Sequence, residues 1–187
     1  AGSVAKTNAF LGASPFTYAN TTNRTIPCYN EDGSLYYYQH NNGYLYNIIN
    51  ELEQSGNKNT VASVQSNVNL RWQITDDLSF NTLVSYQYSH TRSESWYTEQ
   101  SNYMAQLRTY NYEEFAEGSD EYKRSYVPYG GEFNENETGT MTWSWRNQLE
   151  YSKVFNSLHY FTVMLGQEAN STKTNGFQST RYGYMHN

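Results

Sequence analysis

Val64-Gln65-Ser66-Asn67-Val68-Asn69-Leu70-Arg71-Trp72-Gln73-Ile74, then Thr75-Asp76-Asp77, then Leu78-Ser79-Phe80-Asn81-Thr82-Leu83-Val84-Ser85-Tyr86-Gln87-Tyr88: this stretch decides the fold of the chain. In the first run, five of the six even positions are apolar and every odd position between 65 and 73 is polar. The second run repeats the beat, with Leu, Phe, Thr, Val, Tyr and Tyr on its even positions. Side chains of a β-strand point alternately to opposite faces, so each run has one apolar and one polar face. A three-residue connector sets Ile74 opposite Leu78, and the same register pairs Trp72 with Phe80, Leu70 with Thr82, Val68 with Val84 and Val64 with Tyr88. Cross-strand partners share a face, so turn length and alternation agree independently. Asp76 and Asp77 suit a turn that needs a left-handed residue.

A second pair follows a long connector, residues 91–137. Odd positions 141–151 read Met, Trp, Trp, Asn, Leu, Tyr, while even positions 140–152 are all polar. The partner is expected over residues 158–169. A turn centred on Asn156 would pair Tyr151 with Phe161, Leu149 with Val163 and Asn147 with Leu165. Leu158, Tyr160 and Met164 fall on the other face of this strand, which is less regular.

The expected organisation is all-β: an antiparallel meander of about four long strands, forming part of a larger transmembrane β-barrel with long extracellular loops. Residues 1–60 read as an extracellular loop, 61–90 as a hairpin, 91–137 as a second loop, 138–170 as a hairpin and 171–187 as the start of another loop. Within the loops, residues 47–52 allow a short helical turn. Residues 101–115 place Tyr103, Leu107 and Tyr110 at helical spacing behind a Ser101 or Asn102 cap. Alternating short and long connectors are the habit of membrane barrels, and about 11 residues of alternation suffice for a tilted strand to cross a bilayer. Trp72 and Phe80 near one end of the first hairpin, and Tyr86 and Tyr88 near the other, resemble two interfacial girdles around an aliphatic band. Val68, Leu70, Val84, Trp143 and Leu149 would then face lipid, and Arg71, Gln73, Arg146, Gln148 and Glu150 a polar lumen. The short connectors would face the periplasm and the long ones the outside. A soluble sandwich shares the alternation but rarely carries loops of this length.

Composition agrees. The 187 residues include 20 Tyr, 8 Phe and 4 Trp, yet mean hydropathy is −0.88. Disordered chains that polar are poor in aromatics. The net charge of −6, without a basic run, gives nucleic acid no electrostatic footing. Cys28 is the single cysteine, so neither an internal disulfide nor a cysteine metal site is expected. No apolar run approaches the roughly 18 residues of a transmembrane helix. Ala1-Gly2-Ser3 opens directly in polar sequence, without a visible signal peptide.

Catalytic motifs are missing from the text. It holds no G-x-S-x-G, H-E-x-x-H, phosphate-binding loop or dinucleotide fingerprint, and His40, His90, His159 and His186 lack ligand spacing. The acidic cluster from Glu113 to Glu121 lacks calcium-loop order. No enzyme, metal or cofactor is therefore expected. Asn20, Asn23, Asn136 and Asn170 begin glycosylation sequons, which so Asn- and Thr-rich a chain produces by chance. What remains is recognition chemistry. Tyr36, Tyr37, Tyr38, Trp96, Tyr97, Tyr103, Tyr110 and Tyr112 offer flat faces on which sugar rings stack, beside amides that bond hydroxyls.

Several segments resemble one family. Residues 69–80 (NLRWQITDDLSF), 145–153 (WRNQLEYSK) and 164–168 (MLGQE), with the loop text 24–34 (RTIPCYNEDGS), are similar to SusC/RagA-like TonB-dependent outer-membrane transporters. The resemblance runs from about residue 15 onward. It implies a large barrel of a bacterial outer membrane with an N-terminal plug, which imports glycans, or sometimes peptides, with TonB energy under a SusD-like lipoprotein. The partners implied are that lipoprotein, the TonB system, the rest of the barrel, the substrate and outer-membrane lipid. This text has no plug or TonB-contacting segment, and four strands cannot close a barrel. The chain is therefore expected to be an internal portion of a longer transporter, whose loops contribute to substrate capture and lid docking. The alternative is a soluble or surface carbohydrate-binding β-module without transport.

Overall fold

The structure, a computed structural model, describes residues 2–9, 14–156 and 158–185, the first of these as backbone only. The chain is mostly β, and its long strands form an open antiparallel sheet. In chain order the elements are β1 (Gly2–Ala9), α1 (Pro15–Thr21), β2 (Tyr38–Gln39), β3 (Leu45–Tyr46), α2 (Ile48–Glu53), β4 (Ser55–Gln73), β5 (Leu78–Tyr97), α3 (Asn102–Arg108), a short 3-10 turn (Tyr122–Arg124), β6 (Gly131–Phe155) and β7 (His159–Tyr184). The sheet order is β1-β4-β5-β6-β7, so the four long strands form the expected meander. β1 adds an edge strand in a region read from the sequence as connector, and β2 and β3 make a separate small hairpin.

The first hairpin keeps the register set by its turn. Ile74 N–H donates to Leu78 O (2.9 Å) and Leu78 N–H to Thr75 O (3.3 Å). The same offset recurs far along the strands, where Ser93 bonds Asn59 (3.2 Å), Lys58 meets Glu94 (3.5 Å) and Thr98 N–H donates to Gln54 O (2.8 Å). Neither aspartate takes the left-handed backbone expected of it. That conformation belongs to the second turn, at Asn156 (φ 54°).

The second hairpin differs in register. Thr140 meets Thr174 (3.2 Å), Thr142 Thr172 (3.1 Å), Arg146 Glu168 (3.0 Å) and Ser152 Thr162 (3.1 Å). These pairs centre the hairpin one residue beyond Asn156, because Phe155 O accepts from Leu158 N–H (3.2 Å) and Asn156 is used up inside the turn. Tyr151 therefore falls opposite Val163 rather than Phe161. A slip of two residues leaves every side chain on its face, whereas a slip of one would have inverted the strand.

The strands also run about twice as far as their apolar alternation. β7 continues to Tyr184, through residues read as the start of a loop, and β6 begins at Gly131 rather than near residue 138. Polar cross-strand pairs carry the extra length. Lys58, Glu94, Arg92, Glu135 and Arg181 join all four long strands through Lys58–Glu94 (3.5 Å), Arg92–Glu94 (3.1 Å), Arg92–Glu135 and Arg181–Glu135 (2.9 Å).

The chain divides into two compact units. One comprises Ala1–Ala5, Val61–Thr91 and Thr138–Gly176, and the other Lys6–Thr60, Arg92–Glu137 and Phe177–Asn187. In the first unit one sheet face is apolar. Trp145 Nε1 donates to Thr82 Oγ1 (3.0 Å), which aligns the even positions of β5 with the odd positions of β6. Val64, Val68, Leu70, Trp72 and Ile74 thus share a face with Val84, Tyr86, Trp143, Trp145, Val163 and Leu165. All eleven are exposed, Leu70 at 62% and Leu165 at 70%. Leu149 is half-buried on the same face.

The second unit packs around Ile48, Met104, Ala105 and Tyr110, all buried. Its helices are capped as their sequences require. Ser14 accepts from Thr17 N–H (3.3 Å) ahead of Pro15, Asn47 accepts from Ile49 N–H (2.8 Å), and Ser101 accepts from Met104 N–H (3.2 Å). The buried residues of α3 are Asn102, Met104, Ala105 and Arg108, with Tyr103 and Leu107 half-buried. Tyr110 is buried beyond the helix end.

Candidate recognition site

Buried amides build the second unit. Asn47 caps α2 and also donates through Nδ2 to Cys28 O and Tyr36 O, both at 2.8 Å. One residue thereby fixes the helix start and two loop strands. Glu51, on α2, accepts from Asn102 N–H (2.7 Å) at the start of α3 and from Asn50 Nδ2 (3.3 Å). Asn102 in turn donates to Leu45 O (2.8 Å) and accepts from Asn42 Nδ2 (2.6 Å). Unpaired buried polar groups are costly, so this satisfied network fixes the loop geometry where the apolar core is small.

On this frame lie three cavities that share walls. The largest, about 600 Å³, is lined by α1 (Thr17, Tyr18, Thr21), the β2–β3 hairpin (His40, Asn41, Asn42, Tyr46), Glu51, Tyr97, and α3 (Asn102, Tyr103, Gln106). Its size is that of an ordinary small-molecule site. Two aromatic stacks stand in its wall, His40 on Tyr46 (centroids 4.7 Å apart) and Tyr97 on Tyr103 (4.2 Å). The second cavity, about 340 Å³, shares Asn102 with the first and adds Tyr37, Gln100, Asn111, Tyr112 and Glu113. The third, about 160 Å³, shares Tyr112 and Glu113 with the second and is closed by Arg108, Tyr110, Phe115, Glu117, Tyr122 and Tyr129.

The phenols are kept as donors. Burial pushes Tyr18 up to about 12, helped by the charge and hydrogen bond of Tyr38. Tyr103 is also pushed up to about 12, by burial and by Glu132, whose carboxylate accepts from its hydroxyl at 3.2 Å. Burial likewise raises Tyr46, ahead of the nearby Glu51 charge. These hydroxyls stay protonated at any physiological pH, beside amides that both donate and accept. Walls of this kind can stack rings and bond hydroxyls. No group of three or more metal-ligating side chains occurs among the described residues.

The aromatic residues singled out in the sequence are spread over this frame. Tyr97 and Tyr103 line the large cavity, Tyr37 and Tyr112 the second, and Tyr110 and Tyr112 the third. Tyr38 stands behind Tyr46, edge to face at 5.8 Å, and Tyr36 is exposed. Trp96 lies across Gly56, where a Cβ would sit 2.2 Å from its Cζ2, so this indole packs along the sheet. The polar strand residues lie on the face opposite the apolar one. Arg146 holds Glu168 with two nitrogens (3.1 and 3.0 Å), and Gln148 Nε2 reaches Met164 Sδ (2.9 Å). Gln73 bonds Thr75 O (2.8 Å), Arg71 is exposed and Glu150 is half-buried.

Tyr18, His40, Asn42, Tyr46, Asn102 and Gln106 were not anticipated as wall residues. Ser14-Pro15, a cap followed by proline, was the one local signal that a helix begins before Tyr18. No family model matches the chain, and neither does any curated protein.

Proposed function

We propose that this chain is a barrel portion of a bacterial outer-membrane importer of the SusC/RagA-like, TonB-dependent kind, whose loops take part in capturing glycans or oligosaccharides. The observation that carries the membrane half is the apolar sheet face. Val64, Val68, Leu70, Trp72 and Ile74 and their neighbours on β5 to β7 remain exposed, with no second sheet packed on them among the described residues. Soluble monomers rarely leave so broad a contiguous apolar patch uncovered. A lipid-facing band does so by design. The open edges at β1 and β7 are consistent with further strands of the same barrel. The resemblance of residues 69–80 and 145–153 to such transporters adds to this reading. It also brings in the SusD-like lipoprotein and the TonB system as partners, with the short turns facing the periplasm.

The recognition half rests on the three cavities, whose tyrosine faces and amides suit sugar rings and their hydroxyls. A soluble carbohydrate-binding module would share these walls but not the bare apolar face. Oligosaccharide titration of the full-length protein in detergent tests the capture role. Tyr103→Ala should weaken binding by roughly threefold to tenfold, the worth of one stacking contact at about 0.5–1.5 kcal/mol, while Tyr103→Phe keeps most of it. Equal affinity in all three proteins would contradict the role.

A further inference from the structure

Arg108 is the last residue of α3 and the least expected member of the loop interior. It is 2% exposed, it makes no ion pair among the described residues, and its Nε and Nη2 are buried without a hydrogen-bond partner. These two N–H groups form one edge of the guanidinium, the parallel pair that grips a carboxylate with two bonds. Its Cζ lies 5.6 Å from the Tyr110 ring centroid, which holds the group in place without satisfying its donors. Buried charges are normally paired, because removing a cation from water costs several kcal/mol that an aromatic face alone does not return. Arg108 lines the third cavity, about 160 Å³, at the end of the run of three.

We propose that this cavity is an anion subsite, in which Arg108 receives the carboxylate of an acidic sugar, a uronic acid unit of the captured glycan. The choice of a sugar over a peptide terminus comes from the other polar groups of the wall. Glu113 and Glu117 line the same cavity and can only accept hydrogen bonds when ionised. A uronate brings one carboxylate for Arg108 and several hydroxyls that donate to those glutamates. A peptide carboxylate brings the same charge with fewer donors to offer those glutamates. The tyrosine faces supply the stacking surface for the ring. This inference rests on the capture role proposed above, although not on transport.

The test is titration of the full-length protein with D-glucuronate, D-glucose and N-acetyl-L-tyrosine, followed by saturation-transfer NMR. Glucuronate should bind about tenfold or more tightly than glucose, the worth of a charge-assisted bidentate contact. N-acetyl-L-tyrosine should bind more weakly than glucuronate. Arg108→Lys keeps the charge without the paired donors and should erase the preference. Equal binding of glucose and glucuronate would overturn the subsite and leave the capture role standing. Tighter binding of N-acetyl-L-tyrosine would overturn the sugar assignment, and no binding of any probe would overturn both readings.

Discussion

Asn47 and Glu51 show how single side chains hold the loop interior. Asn47 satisfies the start of α2 and two loop carbonyls at once, and is 2% exposed. Asn47→Ala should cost about 1–3 kcal/mol, the sum of a lost cap and abandoned carbonyls, seen as faster hydrogen exchange across α2. Undiminished protection would argue that another group holds the two loop segments. Glu51 answers to pH. Burial raises its carboxyl above the ordinary glutamate value, against the lowering by Asn102 N–H and Asn50. A group raised in the folded state stabilises fully below its unfolded value and loses that contribution as pH rises through the folded one. Loop stability, followed by exchange of α2 and α3 amides, should therefore decline as pH rises from the ordinary glutamate range upward. Glu51→Gln should flatten that decline, and an unchanged slope in the variant would assign it elsewhere.

At the scale of the element, the strands were legible where one face is apolar. Period-two alternation found residues 64–74, 78–88 and 141–151, and the turn at Thr75–Leu78 fixed a register that persists to Thr98. It failed where both faces are polar. The outer halves of β4 to β7 are held by pairs such as Lys58–Glu94 and Arg181–Glu135, and such pairing needs partners distant in sequence. The second turn was misplaced by one residue, since a left-handed Asn156 reads the same in text wherever it stands in the turn. Tyrosine density marked candidate recognition residues, but which rings line a cavity depends on hydrogen bonds between elements some fifty residues apart, as from Asn102 N–H to Glu51. Gly56 offers an element-scale test. A methyl there would press on Trp96 at 2.2 Å, so Gly56→Ala should cost about 1–3 kcal/mol in denaturant unfolding, with a shifted tryptophan emission. An unperturbed Trp96 would contradict the close packing of β4 against β5.

At the scale of the whole molecule, the polar composition and the bare apolar face have one common account. On the proposed function, the apolar half of each strand near the turns faces lipid. The accessibility of spin labels in the full-length protein, reconstituted in lipid vesicles, measures this directly. Labels at Leu70, Val84 and Val163 should collide with dissolved oxygen and be shielded from a water-soluble nickel relaxant, while labels at Arg71 and Gln148 show the reverse. Equal nickel accessibility at all five positions would contradict the claim that this sheet faces a membrane.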